Sequence, residues 1–399
     1  MRLAVVAATL GNMRRQYPLQ AGRKKAKLNA QFNAAIFAVA MRAGASKLKG
    51  AVVRAQRKFV QIFTQLVSGN RLLGVMLITM ISGVEPSVPA SAEDQVTLRL
   101  DWTIEGQHLP FVWALDQGYF AAAGIDVKIL EGRGSGNTAQ LIGAKTDTFG
   151  EADASRAALA RAQGAPIKVI ATFIQRSEGT VVSFPASGIN KPADLVGKKV
   201  ATSEGSSSAV LFQAMLKASG IPQSKIDLVS LDSTAKVASL LQHRVDAITG
   251  LMSSECVLVT QKSPRQKVSC MPMADFGVKA LGTALIVNDE TLKQNPELVQ
   301  RFVLATLRGW TEAVKNPAKA AAIGKRDFPL ADPTILQAQL ESVIASMHSQ
   351  TSMGHPIGWM ADADWSDTIA TLRSYMGLTS TAPASDYYTN EFIPAEKQK

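Results

Sequence analysis

The sequence predicts an α/β protein of two lobes, the second inserted into the first. Three observations carry this. Short apolar strands alternate with helical periods from Val96 onward. Glycine- and serine-rich turns recur where a strand hands over to a helix, at 132–138 and again at 203–208. A strand-like run over 284–288 brings the chain back after the second series, and the remaining C-terminal residues are mainly helical. Such alternation favours a largely parallel sheet with helices on its faces.

In the first lobe, 96–101 (VTLRLD) alternates apolar and polar residues and reads as a strand. Residues 110–117 and 119–123 suit a helix ending near Gly124. A strand over 125–130 leads to the turn 132–138 (GRGSGNT), which opens a helix at 139–144. A short strand at 147–150, a helix at 155–163 and a strand at 167–173 complete this series. The second lobe begins near Phe184. Its strand 199–202 runs into 203–208 (SEGSSS), which caps a helix over 209–218 that Gly220 and Pro222 stop. Then come strands at 226–231, 246–251 and 268–271, with helices at 234–243 and 254–261. Two strand-like crossings, 180–184 and 282–288, form the expected hinge. Helices are expected at 296–314, 333–347 and 361–375. The domain expectation is therefore residues 93–183 plus 282–399 for lobe one and 184–281 for lobe two.

The chain has 399 residues and a net charge of +11. Residues 1–92 hold fourteen Lys/Arg and one acid, Glu85; the remainder holds 29 basic and 31 acidic residues. The basic excess is confined to the leader, so a nucleic-acid-binding core is excluded as the main reading. Residues 72–84 (LLGVMLITMISGV) come after Arg71 and precede Ala90-Ser91-Ala92. Charged, apolar and small-residue regions in that order read as a signal peptide cleaved after Ala92, which implies a periplasmic protein. A start at Val67 gives this leader the usual length, so the basic run before it reads as an over-extended start; a basic amphipathic arm is the other reading. No later stretch reaches the ~20 apolar residues of a membrane span. The two cysteines, Cys256 and Cys270, leave two readings open, a disulfide or two separate buried thiols. The four histidines show no metal-ligand spacing, and no nucleophile–base pair is evident. No cofactor or metal is expected.

Several runs in order resemble the SsuA/THI5-like (NMT1-type) family of solute-binding proteins. They are Leu100-Asp101-Trp102 with His108; Gln117-Gly118-Tyr119-Phe120; Ala123-Gly124-Ile125-Asp126-Val127; and Thr148-Phe149-Gly150-Glu151-Ala152-Asp153. Asp194-Leu195-Val196-Gly197-Lys198-Lys199, Val245-Asp246-Ala247 and Tyr388-Thr389-Asn390-Glu391-Phe392 continue the series. The resemblance implies a type II periplasmic binding-protein fold, two α/β lobes joined by a two-strand hinge with a cleft between them. It also implies a monomeric receptor that passes a small solute to an ABC permease and ATPase complex. Family ligands include thiamine-pyrimidine precursors, nitrate, alkanesulfonates, taurine and flavin-like compounds. Some relatives are pyrimidine synthases that consume a histidine and use a cysteine-rich motif with iron. The two cysteines here do not match that motif, so the synthase is the alternative reading, alongside a periplasmic sensor.

The expected ligand contacts lie on the two turns and at strand ends. Gly134, Ser135, Asn137 and Thr138 offer backbone approach and hydroxyl or amide groups at a helix start, where capping is the plain alternative. Ser203, Glu204 and Ser206 occupy the matching turn of the second lobe. The Glu204 carboxylate weighs against an anionic solute and towards a polar, neutral or cationic ring. Trp102 comes directly after the first strand, where an indole can stack on a flat ring; His108 can bond a ring nitrogen or cap the next helix. Asp153 and Glu255 are candidate acceptors for an amine, or dipole-stabilising carboxylates. Arg133 and Arg176 are anion-binding candidates for an acidic solute, with solvated surface as the plainer reading.

Overall fold

The computed structural model describes residues 93–395. The basic leader, its 72–84 segment and the cleavage site lie outside the described residues.

Two five-stranded sheets carry the fold. The first contains β1 (Asp94–Arg99), β2 (Ile125–Leu130), β3 (Phe149–Asp153), β4 (Ile167–Thr172) and β10 (Thr283–Asn288), in the order β2-β1-β3-β10-β4. The second contains β5 (Gly179–Ser183), β6 (Lys199–Thr202), β7 (Asp227–Ser230), β8 (Ala247–Leu251) and β9 (Ser269–Pro272), in the order β7-β6-β8-β5-β9. Both sheets are built alike. Three neighbouring strands run parallel, and the fourth position is filled by a reversed strand, β10 or β5. That reversed strand is the one the chain enters directly after crossing from the other lobe.

Helices cover the sheets. On the first lobe they are α1 (Leu109–Asp116), α2 (Tyr119–Ala122), α3 (Ser135–Gly143) and α4 (Ala154–Ala162), then α8 (Asp289–Gln294), α9 (Pro296–Ala313), α10 (Pro317–Asp327), α11 (Pro333–Ile344) and α12 (Asp362–Tyr375). The second lobe carries α5 (Ser207–Ala218), α6 (Ser233–Leu241) and α7 (Val257–Lys262). The alternation in each strand sends one set of side chains to each face. Leu98, Phe149 and Leu285 meet α1 and α9, where Phe149 stacks on Phe302 at 3.8 Å and Phe173 on Trp310 at 4.4 Å. Ala152 and Ile286 meet Trp365 and Ile369 on the other face. In lobe two, Val181 and Val200 pack on Phe212 and Met215, while Val182 and Ile248 pack on Val237 and Val259. Each such large side chain, fully buried, stabilises the fold by roughly 1.5–3 kcal/mol.

Several boundaries differ from the sequence expectation, each for a local reason. Strand Gly179–Ser183 pairs in the second sheet, so the expected lobe boundary at 183/184 falls one strand late. The crossings are the segments 173–178 and 277–282, not the strands themselves. They touch: Gly282 N donates to Ile174 O at 2.9 Å, and a Cβ on Gly282 would stand 3.0 Å from the Ile174 side chain. The first turn is shorter than expected, because α3 already starts at Ser135 with Gly134 (φ 118°) as its N-cap. Residues 252–256 form one π-helical turn ahead of α7, so the helix expected over 254–261 begins in a wider coil. The helix α10 is not foreseen from the sequence; its mixed Ala, Lys and Arg run has little apolar period.

Cys256 and Cys270 are joined, which settles the two readings left open and ties the π-turn to β9. Among the described residues no helix is long and apolar enough to cross a membrane.

Candidate functional site

The carboxyl ends of parallel strands from both sheets converge on one hollow between the lobes. β1 delivers Asp101 and Trp102, and β2 delivers Gly132 and Arg133. From the other lobe, β6 delivers Ser203, β7 delivers Leu231, and β8 leads to Ser254 and Glu255. Ligands in open α/β sheets sit beyond such ends. The hollow has two parts. An outer cavity of about 790 Å³ is walled by both lobes and by the start of α11. An inner recess of about 30 Å³ lies between Asp101, Glu105, Gln107 and Ser135 on one side and Ser206–Ser208, Lys236, Ser254 and Glu255 on the other. Trp102 lines both.

The lobes meet across the recess. Ser254 Oγ donates to Glu105 Oε1 at 2.7 Å. A Cβ on Gly134 would come within 2.8 Å of Gly205 O, so the two strand-to-helix turns approach backbone to backbone. Glycine at 134 is needed twice over, for that approach and for its positive φ. Ser206 caps α5 by accepting from Ala209 N at 3.2 Å, and its hydroxyl donates to Ser203 O.

Buried charge dominates the electrostatics. His108, wholly buried, sits with Nε2 3.1 Å from Asp101 Oδ1 and 3.0 Å from Glu151 Oε2. Burial by itself would strip the ring of its proton. The Glu151 charge and the bonds to Asp101 and Glu151 reverse that and hold the group at about 10. Nδ1 accepts from the Glu105 backbone N–H at 2.9 Å. A ring whose Nδ1 accepts directs its Nε2 at the two carboxylates, and burial first of all raises Glu151. Asp101 Oδ2 also accepts from Ser135 Oγ at 2.9 Å, and that hydroxyl accepts from Asp153 N.

Around the triad stand further acids. Burial, then the Glu255 charge, pushes Glu105 up to about 7. Burial likewise lifts Glu178, in the first crossing, to about 7 and Asp153 to about 6. Glu255 is the exception. Burial would raise it, but Lys236 Nζ, 2.7 Å away and 1% exposed, holds it below the usual carboxylate range. Leu251 N donates to its other oxygen at 2.9 Å.

Of the residues singled out from sequence, Trp102, Gly134, Ser135, Ser206 and Glu255 line the recess, and Ser203 and Glu204 line the outer cavity. Four do not line either. Thr138 spends its hydroxyl on Leu100 O at 2.9 Å, and Asn137 is exposed on the outer side of α3. Asp153 caps α4 by accepting from Ser155 N and Arg156 N. His108 is sealed behind Asp101. The sequence hides its supporting role because its partners come from separate strands. The ligand atoms of Asp101, His108 and Glu151 lie within 4.8 Å of one another, a donor set a divalent cation could use. Spacing along the chain conceals this group, whose three members come together only in the fold and already bond to one another. Sequence reasoning also misses Glu105, Gln107, Lys236 and Ser254. Lys236 sits in a helix whose sequence reads as an ordinary amphipathic surface element; Asp101, already part of the Leu-Asp-Trp run, carries the one available signal.

Two α/β lobes with reversed crossing strands, closing on a hollow at their strand ends, define a periplasmic binding-protein fold. The alkanesulfonate-binding protein SsuA of Xanthomonas axonopodis pv. citri superposes with a TM-score of 0.58 at 15% identity, covering 74% of this chain and 98% of that one. The NMT1/THI5 like family model matches residues 105–320, and the chain belongs to that family. Its relatives include the riboflavin-binding protein RibY of Chloroflexus aurantiacus, 26% identical over 351 residues, which span 81% of this chain and 96% of that protein. They also include the 4-amino-5-hydroxymethyl-2-methylpyrimidine phosphate synthase of Legionella pneumophila, 22% identical over 306 residues, or 76% and 94% of the two chains.

Proposed function

We propose that the chain is the exported solute-binding receptor of an ABC importer. It captures a small polar or heterocyclic solute between its lobes and releases it unaltered to a permease and ATPase complex. The observation that carries this reading is the pairing of Gly134-Ser135 from one lobe with Ser206–Ser208 from the other around a single recess. A solute bound there gains contacts from the second lobe only on closure, so its differential affinity drives the closed form. The receptor works as a monomer in the periplasm; the Cys256–Cys270 bond suits an oxidising compartment.

Relatives named as synthases keep an enzymatic reading in view. Two features weigh against it. The two cysteines are consumed in one disulfide, and His108, the histidine nearest the recess, is fully enclosed.

The test is native mass spectrometry of protein isolated from the periplasm, then return of the released small molecules to solute-free protein. A receptor retains a solute and is stabilised by it without turnover, by RT ln(1 + [L]/Kd). Trp102→Ala lowers that affinity by about tenfold, the worth of one stacked indole. A released compound that the protein converts to a different mass refutes the receptor reading.

A further inference from the structure

The lining of the hollow carries information about the charge of its solute. Six carboxylates face the two compartments: Asp101, Glu105, Glu204, Asp232, Glu255 and Asp332. Three cationic side chains oppose them, Arg133, Lys236 and Lys262. Lys236 is already spent on Glu255, and Lys262 is exposed at the mouth. Against the deep end there is no uncommitted cation among the described residues. The unmet hydrogen-bonding capacity there is an acceptor. Gln107 Oε1 is buried without a partner, and its orientation is fixed because Nε2 donates to Glu105 Oε2 at 3.1 Å. Glu105 reaches the recess from one lobe and Glu255, held by Lys236, from the other; the pair with Lys236 does not cancel the Glu255 field, which still raises Glu105, so closing the lobes sets the unpaired Glu105 carboxylate against it. Something positive between them removes that cost.

Size divides the two compartments by role. The recess, at about 30 Å³, admits a group the size of one water or one nitrogen. The outer cavity, at about 790 Å³, lies in the range of pockets that hold a whole organic ligand. Its walls are apolar between the charges, with Trp102, Ile104, Leu231, Leu241, Leu258 and Ile335. Resting on the receptor reading, we propose that the solute is an organic cation whose nitrogen head enters the acid-lined recess between Glu105 and Glu255 and whose flat apolar body fills the outer cavity against Trp102. Closure is then selective for charge: a neutral head leaves the Glu105 carboxylate without a cation, and an anionic head sets a second negative charge beside it.

The experiment uses the full chain stripped of solute by unfolding and refolding, titrated calorimetrically with three compounds of one shape. Naphthalene-2-carboxamidinium, naphthalene-2-carboxamide and naphthalene-2-carboxylate differ only in the charge of the head. The amidinium is expected to bind, the carboxamide to bind about tenfold or more weakly, and the carboxylate not at all. Glu105→Gln, whose amide oxygen keeps the Gln107 bond while its NH2 donates to Ser254 Oγ in reverse, should weaken the amidinium by about tenfold and leave the carboxamide unchanged. Carboxamide or carboxylate binding as tight as the amidinium overturns the proposal, and so does the absence of amidinium binding at millimolar concentration. The receptor reading is judged separately, by whether the fraction released from periplasmic protein stabilises the stripped chain. A neutral or anionic solute in that fraction sinks the cation and leaves the receptor standing.

Discussion

Lys236→Met isolates the buried ion pair of the second lobe. Lys236 is 1% exposed and Glu255 7%, with Nζ and Oε1 2.7 Å apart. Methionine retains the apolar stem and deletes the charge. Glu255 is left enclosed, its other oxygen still bonded to Leu251 N. Its least costly response is to take a proton. Protonating a carboxyl of ordinary value 4.5 at pH 7 costs about 3 kcal/mol, at ~1.4 kcal/mol per pH unit. That agrees with the ~3–5 kcal/mol typical of breaking a buried pair. The cost carries a pH signature. In the variant the folded-state pKa of Glu255 is raised, so stability is retained at low pH and lost as pH rises. The deficit against wild type should shrink to about 1 kcal/mol near pH 5. Urea unfolding of both proteins at the two pH values measures it. Lys236→Met combined with Glu255→Gln, which removes the stranded charge, should recover most of the loss. A deficit below ~1 kcal/mol at pH 7, or one that does not change with pH, refutes the reasoning.

The geometry sets three further outcomes. Glu105 and Glu178 are raised to about 7 and Asp153 to about 6, above their unfolded values, so the folded chain binds more protons and its stability falls as pH rises from about 4.5 to 7; thermal midpoints across that window should decline, less steeply in Glu105→Gln. Gly134→Ala places a Cβ 2.8 Å from Gly205 O at a backbone φ of 118°, so it disfavours the closed arrangement by roughly 1–3 kcal/mol; small-angle scattering should show a chain that no longer contracts when solute is added. Cys256→Ser together with Cys270→Ser opens a loop with a sequence separation of 14 and should cost about 3 kcal/mol in chemical denaturation, a loss that a reducing agent reproduces in the wild type.

The architecture is largely legible in the sequence because strand alternation and strand-to-helix turns are local. Val96 and Leu98 announce β1 by their period, and Gly220 and Pro222 announce the end of α5. Which sheet a strand joins is not local. Gly179–Ser183 reads as a buried strand in either lobe, and only its pairing with β8 and β9 assigns it. The site divides in the same way. Ser135 and Ser206 stand out through the turns that hold them. Lys236 does not, since nothing within its own helix shows that Glu255, 19 residues on, will cover it. His108 draws notice as a ligand contact yet lies behind the recess, because its burial depends on Glu151 from a different strand.

The last helix, α12, touches more than its own lobe. Its end brings Tyr375 and Met376 against the core of lobe two, while Trp365 and Ile369 sit in the core of lobe one and Thr368 Oγ1 accepts from Leu281 N in the second crossing. The lobes thus share a helix as well as the two crossing segments. Any motion that opens the hollow therefore has to shear α12 against one of the two cores it fills.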